Sequence, residues 1–293
     1  MTVQVVLDTA GWAINPATAV QWGESQGVEV VGLTRYLVGS ASSICTMVNG
    51  LPRLQAGQQQ WLEDLTDAGL VMVGNWELAA NAPDQGSGQG YSDGLNAARC
   101  LEVCGAYAGR SAYLSNDSVV SNWANVEGYY QAANSAEAPF HFEADLYGQS
   151  SVFQAVKPFG AKKLWHAADG TGHAWPSGAG VNSPVPDTSD FPAGTVMVQR
   201  PLFYVNVGGS TCDVDYVIAE DFGGWNLNST PTPSSQEADM YLVQLENAPT
   251  STIFLVVGLG KHALSDGQVL AYYDLGLKRN FLNQTDLNSI PTV

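Results

Sequence analysis

Apolar and polar positions alternate along this chain in two distinct rhythms. Short β-type runs recur, each followed by a stretch of helical spacing. The first run is Val3 to Leu7, ended by Asp8; Gly11 and Asn15-Pro16 turn the chain, and Ala17 to Gln26 reads as a helix. Val28 to Val38 is a second strand, with Arg35 and Tyr36 near its end, and Ala41 to Leu51 is a loop. Pro52 to Gly69 reads as a helix, because Leu54, Trp61, Leu62, Leu65 and Ala68 share a stripe and Gly69 stops it. Leu70 to Glu77 is a third strand that again stops on a carboxylate. A Gly/Ser/Gln-rich loop follows, Ala79 to Gly90, placed to overhang a cleft; Ser92 is expected to cap a helix running to about Ala108.

The same units continue. Ser111 to Asp117 is a fourth strand and Val119 to Ser135 a helix. Pro139 to Tyr147 is a fifth strand carrying Glu143 and Asp145, and Ser151 to Phe159 a short helix. Lys163 to Ala168 is a sixth strand and Thr195 to Arg200 a seventh, with a long Gly/Pro/Ser/Asp-rich loop between them. Asp213 to Ala219 carries the weakest strand signal. Alternating strands and helices predict a parallel sheet. Seven or eight units of this size predict an α/β fold, a closed (β/α)8 TIM-like barrel whose functional face lies at the C-terminal ends of its strands. Asp8, Glu77, Asp117, Glu143, Asp145, His166, Gln199 and Asp215 fall near such ends. Capping would explain one or two of them; the whole set points to a cleft.

Asn226 to Gln236 (NLNSTPTPSSQ) reads as a linker. The expected organisation is a barrel over residues 1–226, a linker over 227–236 and a small β-rich module over 237–293. In that module MYLVQLE and STIFLVVGL read as strands joined at residues 247–250, and VLAYYDLGL follows. Ile253, Leu255 and Val257 alternate with Phe254 and Val256, so both faces of that strand are apolar and need cover from a partner or from the barrel.

Composition narrows the function. The 293 residues are 45% hydrophobic and only 13% charged, with a net charge of −17. Such a field repels phosphates, which argues against nucleic acid and anionic membrane surfaces. No segment has the roughly 18 apolar residues needed to cross a bilayer, and no basic-then-apolar leader opens the chain, so neither membrane insertion nor a signal peptide is expected. The four cysteines, Cys45, Cys100, Cys104 and Cys212, lack a C-x-x-C pattern. Buried free thiols are the expectation, with Cys100 and Cys104 on one helix face. His166, Asp169 and His173 lack a third strong ligand at helical spacing, so no metal is expected. No G-x-S-x-G elbow supports a serine nucleophile, and no cofactor is called for.

The series LDTAGW, GLTRYLV, DAGLVMVGNWE, AYLSND, VQR and CDVDYVIAEDFGGW, in that order over residues 3 to 226, resembles the glycoside-hydrolase-like barrel family of actinobacteria and their phages. That family is similar to the family 25 lysozymes, which are muramidases. The resemblance implies a cell-wall glycan ligand. It implies Asp8 at the floor of the site, Glu77 and Asp117 on its wall, and Asp213 or Asp215 near the last strand. Family 25 muramidases carry Asp-x-Glu after the fourth strand, whereas this chain has Asp117-Ser118-Val119. Glu77 is then the expected general acid, and the more buried carboxyl, with Asp117 or Asp8 as its partner. Tyr36, Trp165 and Trp175 are candidate sugar platforms; Arg35, Glu143, Asp145, His166, Gln199, Asp213 and Asp215 are candidate substrate contacts. The C-terminal module looks loosely like appendages of phage tail proteins. The resulting expectation is a virion-associated minor tail protein, made in the host cytoplasm. It would contact cell-wall glycan, and would hold other tail proteins or copies of itself through that module. The alternative is a catalytically inactive structural or receptor-binding tail protein.

Overall fold

The structure is a computed structural model. It describes residues 2–9, 13–39, 43–116, 118–167, 175, 178–185, 188 and 191–228, and the backbone of four strands between 240 and 282. The chain divides into two compact units, Met1–Thr230 and Pro231–Val293.

The first unit is a closed eight-stranded barrel. Strand β1 (Gln4–Asp8) pairs in parallel with β2 (Glu29–Tyr36). After a hairpin of β3 (Cys45–Val48) and β4 (Leu51–Leu54), parallel pairing continues through β5 (Val71–Trp76), β6 (Ser111–Asn116), β7 (Glu143–Gly148), β8 (Leu164–His166) and β9 (Thr195–Val207). The last strand, β10 (Ser210–Val217), runs antiparallel to both β9 and β1 and closes the ring. The barrel expected from sequence is present, with one strand reversed. A turn at Gly208-Gly209 sends β10 straight back alongside β9, with no crossover helix.

Helices α1 (Pro16–Gln26), α2 (Gln58–Asp67), α3 (Ser87–Val103), α4 (Trp123–Glu137) and α5 (Ser150–Val156) connect the parallel strands. Asn15 starts α1 by accepting the Thr18 N–H, Pro16 fits the first turn, and Gly27 at φ 71° ends it. Alternation along each strand separates two cores. Val5, Leu7, Leu33, Met72, Ala112, Leu114, Ala144 and Leu146 belong to one with the helices. Val6, Val73, Tyr113, Tyr147, Trp165 and Met197 form the other, inside the barrel. Trp165 plugs it, with its ring 4.6 Å from that of Tyr147 and 5.7 Å from that of Tyr113.

Three local expectations are corrected. The helix expected over Pro52 to Gly69 is the strand β4 followed by α2 from Gln58. Asn49 and Gly50, both at positive φ, form a two-residue turn that pairs Val48 with Leu51. The loop expected over Ala79 to Gly90 is a 3-10 turn at Ala82–Gln85 and then the start of α3, so Ser92 lies inside that helix. The glycines that suggested a loop serve packing. A Cβ at Gly90 would sit 2.2 Å from the Tyr129 carbonyl oxygen, and one at Gly94 2.6 Å from that of Ala133, so α3 and α4 touch backbone to backbone. Finally, Cys45 and Cys100 are not free thiols but form a disulfide across 55 residues, stapling β3 to α3. Cys104 and Cys212 are free and buried.

The second unit holds a four-stranded sheet in the order β13 (Gly260–Ala263), β12 (Ile253–Val257), β11 (Met240–Leu245), β14 (Arg279–Leu282). Strands β11 and β12 are antiparallel, and β11 and β14 parallel. The segment VLAYYDLGL lies outside the described residues.

Candidate active site

The parallel strands all end at one mouth of the barrel, and the carboxyls gather there. Asp8 ends β1 on the inner face, in phase with Val6. It stands directly across from Asp213 on β10, because the reversed strand enters the barrel from the mouth. Asp215 lies one layer deeper, opposite Val6. Glu77 follows the last residue of β5 and is close enough to repel the Asp8 carboxyl.

Asp8 is buried, and its carboxyl accepts a short hydrogen bond from the Thr34 hydroxyl. Its pKa is raised from 3.8 to about 7. Burial is the main cause; the Thr34 hydrogen bond opposes it, and the charges of Asp213 and Glu77 add to it. Burial also raises Asp213, which is more open to solvent. Asp215 is fully buried and pushed well above its ordinary range, first by burial and then by Asp8. Its Oδ1 accepts the Trp165 indole N–H at 2.8 Å, while Oδ2 has no hydrogen-bond partner among the described residues. A buried carboxyl with one orphaned oxygen is best satisfied by holding a proton. The Tyr36 hydroxyl donates to Glu77 Oε2 at 3.4 Å, and Glu77 is half-buried. Below them Ser115 donates to Asn75 (2.9 Å) and Tyr147 to Gln199 (2.9 Å), which fixes the inner wall.

The burial order therefore reverses the sequence expectation: Asp8, not Glu77, is the more buried, proton-holding member of the pair. Asp8, Glu77, Tyr36, Gln199, Asp213 and Asp215 are brought to the mouth and its inner wall. Asp117 lies outside the described residues. Glu143 and Asp145 are not at the mouth, because they occupy the first half of β7 and face the opposite end. There Glu143 pairs with Lys162 and Lys163, and Asp145 accepts the Lys162 and Lys163 N–H groups and the Ser111 hydroxyl. This network anchors the start of β8 rather than a ligand. Arg35 projects outward, where it donates to Gln58 and lies over the Trp61 ring at 5.1 Å. Trp165 is fully buried and so cannot stack on a sugar. His166 falls on the outer phase beside Phe191. Trp175 packs on Tyr216 and Arg200. Asp169 and His173 lie outside the described residues.

Sequence reading missed Thr34, Asn75, Ser115 and Tyr147. Their signal was available: each is a polar or amphipathic residue on the inner phase near a strand end. Among the described residues, the group able to hold a metal is Cys45, Cys100 and Cys104, and its first two members are joined in the disulfide. An open cavity of about 830 Å³ lies at the end away from these carboxyls, lined among others by Val3, Glu29, Val185 and Ile218.

No family model matches the sequence, and no curated protein matches it. Solved structures do. The Tat-secreted protein Rv2525c of Mycobacterium tuberculosis, in complex with L-tartrate, superposes with a TM-score of 0.55 at 17% identity, covering 75% of this chain and 98% of that one. An uncharacterised protein of B. stearothermophilus gives 0.51 at 13% identity, covering 73% and 95%. The catalytic domain of endolysin ply40, from bacteriophage P40 of Listeria monocytogenes, gives 0.47 at 15% identity, covering 74% and 94%. At these identities the first two likenesses show a shared barrel fold.

Proposed function

We propose that the barrel binds a bacterial cell-wall glycan across its mouth and hydrolyses a glycosidic bond there by paired-carboxyl chemistry. The observation that carries this reading is Asp8. Its carboxyl, raised to about 7 by burial with Asp213 and Glu77 nearby, still holds a proton near neutral pH. That proton is available to a departing glycosidic oxygen. Glu77, less buried and steadied by Tyr36, supplies the second carboxyl that such chemistry requires. The charge of Asp213, directly across from Asp8, helps keep the Asp8 proton in place. The ordered sequence series that resembles a lysozyme-like family supports cell wall as the source of the glycan.

One observation favours a second reading, glycan binding without cleavage. Val119, an apolar side chain that is 90% exposed, stands where the muramidase pattern has its acid. In either case we place the protein on the particle of an actinobacterial phage, as a minor tail protein, with its C-terminal unit holding other tail proteins or copies of itself. The support for that placement is the sequence resemblance.

Purified protein incubated with mycobacterial and related cell walls tests both readings. Cleavage releases reducing ends, and Asp8→Asn, nearly isosteric, is expected to lower that release by at least ~10². Wild-type protein that sediments with walls yet releases no reducing ends at any pH retires cleavage and leaves binding. Protein that neither binds nor cleaves retires the glycan.

A further inference from the structure

Strands β9 and β10 extend beyond the level of Asp8. Their register pairs Asp213 with Tyr204, Cys212 with Val205, Thr211 with Asn206 and Ser210 with Val207. Directly opposed residues on antiparallel strands project to the same face. Asp8 opposes Asp213 on the barrel's inner phase, so Asp8, Asp213 and Tyr204 form one row across three strands. The other face of the hairpin is fixed: Cys212 and Val207 are buried in the outer core with Val205 packed against it, and Gly208 lies against Thr18 of α1. The inner face is open. Tyr204 is 58% exposed, and Asn206 and Thr211 beyond it are exposed as well. The hairpin therefore stands as a short wall over the mouth, with its polar, aromatic side turned towards the carboxyls.

We propose that this inner face is an outer sugar subsite, in which the ring of Tyr204 carries a pyranose ring of the same glycan chain, one or more units from the bond held at Asp8. The inference rests on the glycan reading above and adds to it a place and a chemistry. A pyranose presents a patch of C–H bonds ringed by hydroxyls. An exposed aromatic ring flanked by an amide and a hydroxyl matches that pattern. An apolar peptide would find only one apolar side chain in the row. An acidic one would meet the charges of Asp213 and Glu77. A neutral sugar meets neither obstacle. The strand pair is closed by the Gly208-Gly209 turn, where the Gly209 N–H donates to the Asn206 side chain at 3.1 Å. The platform is thus preorganised rather than assembled on binding.

Calorimetric titration of the full-length protein with soluble peptidoglycan glycan fragments of increasing length, from a disaccharide upward, tests this. For wild type, affinity rises with length. For Tyr204→Ala that rise falls by about 3- to 10-fold, the worth of one stacked ring, while Tyr204→Phe retains it. Tyr204 is exposed, so neither change threatens folding. If wild type binds and Tyr204→Ala matches it at every length, the subsite is overturned and the glycan reading stands. A phenylalanine variant as weak as the alanine one assigns the gain to the hydroxyl and overturns stacking. If wild type binds no fragment, the glycan reading falls and the subsite with it.

Discussion

At Asp8, burial and like charge act in the same direction. The folded protein favours the protonated carboxyl, with a pKa of about 7 against 3.8 in the unfolded chain. Between those values the folded state binds the extra proton. The stability this group contributes is fully present below about pH 3.8 and is lost as pH rises through about 7. The loss is on the order of 4 kcal/mol at most. Asp213, Glu77 and Asp215 surround the group, so Asp8→Asn removes both the penalty and part of its neighbours' repulsion. The variant is expected to melt progressively above wild type as pH goes from 4 to 8, in scanning calorimetry across that range. Parallel curves for the two proteins would mean that Asp8 is ionised in the fold, and would remove its role as proton donor.

Elements meet in this protein where side chains are missing as much as where they are large. In α3, Gly90 and Gly94 bring the helix backbone against Tyr129 and Ala133 of α4. Propensity alone would favour alanine at either position by about 1 kcal/mol. A Cβ 2.2 Å from a carbonyl oxygen reverses that sign, since overpacking against backbone costs about 1–3 kcal/mol. Gly90→Ala is therefore expected to lower the denaturant midpoint. Gly88→Ala, on the same helix with nothing within 4 Å of its Cβ, is expected to raise it. A stabilised Gly90→Ala would show that the two helices can separate. The same glycines explain a misread boundary: from sequence they signal a loop, and only the facing backbone of α4 shows why a helix keeps them.

For the whole molecule, two units of different character share one chain. The barrel has no free sheet edge, since β10 closes it onto β1. Among the described residues the second unit is a four-stranded sheet with β13 and β14 at its edges, and β12 reads IFLVV, apolar at every position. Both faces of that strand are apolar whichever way it is turned. Two apolar faces in so small a unit call for cover. Full-length protein is expected to self-associate, with multi-angle light scattering giving a mass of at least a dimer at micromolar concentration. A monomer at every concentration would retire self-association through this unit. Among the described residues no helix is long and apolar enough to cross a membrane.

Local pattern carries the alternation of strands and helices, the count of seven or eight units that suits a barrel, and the ending of β1 on Asp8 and of the β5 run on Glu77. These are local properties: a period of two or of 3.6, and a carboxyl where an apolar run stops. Which way each side chain faces is set by packing across the closed barrel. Period two leaves the phase open, and so Arg35 lies on the outer face against Gln58 and Trp61 and Trp165 is buried inside the barrel, neither at a ligand. Nor does a run of apolar residues carry its direction, so the reversal of β10 was hidden. That reversal is what sets Asp213 against Asp8 and Tyr204 in line with both. The Cys45–Cys100 bond joins residues 55 apart, a distance over which spacing carries no signal. The raised pKa of Asp8 comes from burial and from the charges of Asp213 on β10 and Glu77 just after β5, so it exists only once the barrel has closed.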